Sequence, residues 1–119
     1  MAVTVTTKRR GNFAKVSFAC TTDADGDATG STTARFTGEV IRAVFVPAAG
    51  GTQPTNLFDV TVTDDDGYDI LAGQGADLSN AAPTTIVASM GAVVNDVLTV
   101  VLDNGGNAKQ ATVHVYLKE

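Results

Sequence analysis

Two acidic stretches are where chemistry would first be sought: Asp23-Ala24-Asp25-Gly26-Asp27 and Asp64-Asp65-Asp66-Gly67-Tyr68-Asp69. Calcium takes about six to eight oxygen ligands, and a calcium loop presents its acids at alternate positions, with a glycine midway and a bidentate glutamate at the end. Asp23, Asp25 and Asp27 alternate in that way and are the candidate metal ligands. Gly26 comes too early for the pattern, however, and Ala34 stands where the glutamate belongs. The stretch therefore reads as a solvated loop, or as an acidic loop that meets a basic patch on a neighbour. In the second stretch three consecutive carboxylates cannot converge on one ion without an unusual backbone. Asp-Gly tolerates positive φ, so this piece reads as a turn that reverses the strand "FDVTVT" into "YDIL".

His114 is the only histidine and Cys20 the only cysteine. A catalytic histidine needs a nucleophile and an orienting partner, and a catalytic zinc generally needs three protein ligands. One of each cannot supply the usual zinc sets. His114 alternates with Thr112 and Tyr116, which places it on the outer face of the last strand; Cys20 falls on the apolar side of its own strand and reads as a small core residue. The glycines of "GQGADLSN" and "PAAGGTQP" lack the Lys-Ser/Thr ending and the following helix of a phosphate loop. No pair of acids stands out as a glycosidase pair, and there is no tryptophan to form a sugar platform. The expectation is a protein that is not an enzyme and uses no cofactor.

The elements that would position such residues are strands. Val3 and Val5, Ala14 to Cys20, Phe58 to Val62 and Val113 to Leu117 alternate apolar with polar side chains, the period that puts one set on one face of a sheet. "EVIRAVFVP" and "VLTVVLD" are more continuously apolar and read as strands covered on both faces or packed on a partner. "VLTVVLDNGGNAKQATVHVYL" reads as a C-terminal hairpin, and a short helical turn is expected near Asp77 or Ser79. The sum is an all-β, single-domain β-sandwich or small β-barrel of about seven to nine short antiparallel strands. Residues 13–119 form the domain, and residues 1–12 are a candidate N-terminal arm.

A net charge of −5 disfavours binding to nucleic acid or an anionic membrane. No apolar run reaches the roughly 20 residues of a membrane span, and "MAVTVTTKRR" has the wrong order of charge and apolar residues for a secretory signal. One cysteine allows no internal disulfide, which fits a reducing cytoplasm. What remains is contact with protein. Val3 and Val5 followed by Lys8, Arg9 and Arg10 suit an arm that adds a strand to a neighbour's sheet while its cations meet acidic surface. Val97, Thr99 and Val101 form a second candidate contact stripe, or else one face of a two-sided core strand.

The block "TGEVIRAVFVP", "DVTVTDDDGYDILAGQGADLSN" and "LTVVLDNGGNAKQATVHVYL", roughly residues 37–119, resembles small β-rich virion proteins of tailed bacteriophages, among them capsid decoration (cement) proteins. The resemblance is one of pattern and carries over no active-site residue. It implies a structural protein that is made in the host cytoplasm and binds the outside of the virion capsid. Its partners would be the major capsid protein and copies of itself, as a homo-oligomer on the particle. A place at the neck, tail or fibre base, and a calcium- or sugar-binding β-sandwich module, are the alternatives.

Overall fold

A computed structural model of the chain describes residues 2–119. The strands are β1 (Ala2–Arg10), β2 (Phe13–Thr21), β3 (Ala28–Ser31), β4 (Phe36–Pro47), β5 (Asp59–Thr63), β6 (Thr84–Val87), β7 (Ala92–Asp96), β8 (Thr99–Asp103) and β9 (Gln110–Lys118). They build two antiparallel sheets. The larger runs β1-β2-β9-β4-β6, with β7 pairing the first part of β4, and the smaller runs β3-β8-β5. The sheets do not close on each other, so this is a sandwich and not a barrel. Among the described residues the one helical turn is Gly50–Thr52; Asp77 instead takes φ +53° and Ser79 caps a turn at Ala81. No described helix is long and apolar enough to cross a membrane.

Alternation decides what lies inside. Ala14, Val16, Phe18 and Cys20 from β2 and Ala111, Val113, Val115 and Leu117 from β9 face Val60, Val62, Val100 and Leu102 of the small sheet, all buried. Each valine, leucine or phenylalanine among them contributes roughly 1.5–3 kcal/mol on leaving water, and burying both inner faces requires the sheets to stack.

That requirement overturns the C-terminal hairpin. β8 pairs β3 and β5, whereas β9 pairs β2 and β4. Residues 104–109 therefore carry the chain from one sheet to the other. The positive φ of Asn104 and Gly106 serves that crossing, and Gly105 bonds Gly26 while Thr22 bonds Lys109. Pairing β8 with β9 would have left their apolar faces on one side of one sheet with nothing to cover them.

The segment read as an arm lies in the sheet. β1 pairs β2 without a break from Ala2–Thr21 to Arg10–Phe13, and Val3 and Val5 pack against the core. Val3 sits over Gly30 of β3, where a Cβ would meet it at 2.5 Å. "YDIL" likewise forms no ladder with β5. It makes one bridge, Thr63 with Asp69, because the Asp69 carboxylate takes the backbone N–H groups of Val62, Leu71 and Gly73 and winds the chain into turns.

Candidate functional site

The acidic loops come first. Asp23 Oδ1 accepts the N–H groups of Asp25 and Asp27 at 2.9 and 3.1 Å. Asp64 Oδ1 accepts those of Asp66 and Tyr68, each at 3.0 Å. Both are turns closed by an aspartate side chain on its own backbone, which commits one carboxylate oxygen in each loop. Among the described residues no group of three or more His, Cys, Asp or Glu side chains is set to hold a metal. Asp65 does more than line a turn: its carboxylate meets Arg35 at 2.5 Å and accepts the Val97 N–H at 3.1 Å. The Arg35 hydrogen bond holds the Asp65 carboxyl below its ordinary pKa. Asp103, the register partner of Asp59, is pushed the other way by desolvation and by the carboxylates of Asp27 and Asp59.

His114 lies on the outer face of the large sheet, where its Nδ1 is 2.7 Å from Ser17 Oγ across the β2–β9 ladder. Partial burial and the nearby Lys15 lower its pKa. A Ser–His pair can make a nucleophile, but it needs donors for the developing oxyanion. The neighbouring backbone of β2 and β9 is paired in the sheet on both sides. The pair is therefore described by its cross-strand hydrogen bond. Cys20 is 2% exposed, and burial raises its thiol pKa to about 11.

Two outer faces remain. On the small sheet, Thr29, Val101 and Thr61 form one row and Ser31, Thr99 and Thr63 the next. Leu98, Val100 and Leu102 point into the core, while Val97, Thr99 and Val101 are half-buried on the outside. β8 is thus a one-sided strand, with no further sheet over it among the described residues, and its outer face joins two rows free of formal charge. Ser31 and Thr99 hydroxyls bond across it at 2.7 Å.

The outer face of the large sheet has the opposite character. Alternation splits the basic triplet: Lys8 and Arg10 point outward, while Arg9 turns inward, lies 5.2 Å over the Phe36 ring and pairs with Glu119 at 3.0 Å. Between inward Val40 and inward Ala43 the β4–β9 register slips by one residue, so both Ile41 and Arg42 face outward opposite Tyr116. Phe13 is out of phase with the core set of β2 and also faces outward. These residues make a groove of about 470 Å³ with Phe13, Ile41 and Tyr116 in its floor and Lys8, Arg10 and Lys15 at its rim. Arg42 lies 4.9 Å over the Tyr116 ring. The groove was not singled out from sequence. The phase of Phe13 against Ala14, Val16 and Phe18 was its one local signal; the bulge at Ile41 depends on β9.

A scan against protein-family models matches none, and a comparison with curated proteins finds no relative.

Proposed function

We propose that this chain is a structural virion protein that binds the outside of a tailed-phage capsid and stabilises it through protein–protein contacts. The major capsid protein and further copies of the chain are its partners. The observation that carries this reading is the outer face of the β3-β8-β5 sheet: rich in β-branched side chains, uncharged over two full rows, and stacked by no further sheet among the described residues. Interface cores are depleted of charge because desolvating a charge is costly, and hydroxyl-bearing threonines keep such a face soluble before assembly. The resemblance of residues 37–119 to decoration proteins supplies the shell as partner. Many copies that bind only the closed shell stabilise it by mass action. The role asks nothing of the acidic turns beyond shaping loops, which is the use made of Asp23 Oδ1 and Asp64 Oδ1.

The test is binding of purified protein to particles that lack it. Thr99→Lys and Val101→Lys put a charge on the outer face without touching the core, and each should abolish binding while the melting temperature stays near that of the parent. Undiminished binding of both variants refutes the face. A copy number of a small ring, instead of one that scales with the shell subunits, moves the protein to the neck, tail or fibre base.

A further inference from the structure

Alongside the groove, the chain carries a feature of complementary character. At the tip of the turn after β5, Tyr68 is 73% exposed and flanked by Asp66, whose side chain has no hydrogen-bond or ion-pair partner among the described residues. The tip is stiff. Asp64 ties down the N–H groups of Asp66 and Tyr68, and Asp65 anchors the turn to Arg35 and to Val97, two residues ahead of β8. On the large sheet, Phe13 is 51% exposed in a groove whose rim is cationic. Five of the eight lysines and arginines (Lys8, Arg10, Lys15, Arg42 and Lys118) share that outer face, although the chain as a whole carries −5. Glu39, an acid on the same face, accepts a hydrogen bond from Ser89.

We infer that the turn at residues 64–69 of one copy docks in the Phe13–Tyr116 groove of a second copy, with Tyr68 on the aromatic floor and Asp66 among Lys8, Arg10 and Lys15. Three features of the chain carry this. The two patches are opposite in charge, so the local field is attractive in spite of the net repulsion between copies. Each is centred on an exposed aromatic, the side-chain type that anchors interfaces. The volume of the groove exceeds the roughly 300 Å³ at which small binding sites begin, and the turn is already ordered by its own hydrogen bonds, which lowers the entropic cost of docking. The contact is heterologous, one patch against a different one, so it builds a ring if the rotation closes and a chain if it does not. It uses neither Thr99 nor Val101, so it stands or falls separately from the shell-binding reading.

The experiment is sedimentation of the full chain over a range of concentration at low salt. The expected result is a mass that rises above the monomer with concentration and falls back in high salt. Tyr68→Ser and Phe13→Ser, both at exposed positions, should each weaken self-association at least about tenfold with unchanged circular dichroism. Mixed together they should form a one-to-one pair and nothing larger, because each retains the patch the other has lost. Asp66→Lys and Lys15→Glu should each weaken association, and combining them in one chain should restore it. A chain that stays monomeric throughout, or association indifferent to Tyr68→Ser, overturns the inference; so does a mixture of the two variants that fails to pair. Binding of an unrelated acidic, aromatic-bearing peptide in the groove of such a monomeric chain would reassign the site to a foreign partner and equally overturn self-docking.

Discussion

Gly30→Ala is the sharpest probe of how the two sheets are joined. Gly30 lies in β3 opposite Val3 of the edge strand, and an added Cβ would stand 2.5 Å from Val3 Cβ and 2.9 and 3.1 Å from its γ carbons. Carbon atoms pack best about 3.5–4.0 Å apart, so β1 would have to withdraw by about 1 Å. It cannot do so freely, because it is paired with β2 along its whole length. Overpacking of this kind costs typically about 1–3 kcal/mol. Replacing a glycine in a strand returns about 0.5–1 kcal/mol, since Gly30 does not need positive φ. The net expectation is a loss of about 1–2 kcal/mol, or a fall in melting temperature of about 3–10 °C for a domain of this size. Urea titration followed by circular dichroism should show a lower midpoint at unchanged slope. Adding Val3→Gly to Gly30→Ala should cost less than Val3→Gly costs alone, a coupling expected only of residues in contact. If Gly30→Ala is as stable as the parent or more so, Val3 is not seated on Gly30, and residues 2–10 behave as a detachable arm.

Gly67 has φ +86° with open space around it, so Gly67→Val should destabilise through backbone strain alone, by roughly 1 kcal/mol or more in the same urea titration. Asp65→Asn, which a free turn would tolerate silently, should also lower the midpoint measurably because it weakens the contacts to Arg35 and Val97; an unchanged midpoint would reduce Asp65 to a turn residue. Cys20, buried with a thiol pKa raised to about 11, should react with a thiol reagent at mildly alkaline pH only as fast as the protein unfolds, and rapid labelling of the native protein would contradict its place in the core. The lowered pKa of His114 means that the folded state binds its proton less readily than the unfolded chain. Its contribution is therefore fully present above the ordinary histidine pKa of about 6.5 and is lost as pH falls through the depressed value. His114→Gln should flatten that part of the stability–pH curve, and an identical curve in the variant would refute the assignment.

The strands could be read from the chain because alternation is local. Val16 and Phe18, or Val113 and Val115, reveal their buried side by their own spacing, and the structure keeps every one of them inside. The outward place of His114 and the turn at Gly67 follow from equally short-range chemistry, the first from phase and the second from Asp-Gly geometry. The neighbours of each strand are not local. "VLTVVLDNGGN" has the spacing of a hairpin arm, yet β8 and β9 part company because two apolar faces bury more surface across a sandwich than side by side. The same holds for β1. A valine–threonine alternation before a basic triplet fits an arm or an edge strand equally well, and the choice fell to Gly30, whose missing side chain leaves the room that Val3 fills. The groove lay furthest from view, since it needs Phe13 from β2, Tyr116 from β9 and a one-residue slip in β4 that turns Ile41 outward. A period of two assigns each side chain to a face; only the packing of the sheets decides which strands lie side by side, and so which outward side chains meet.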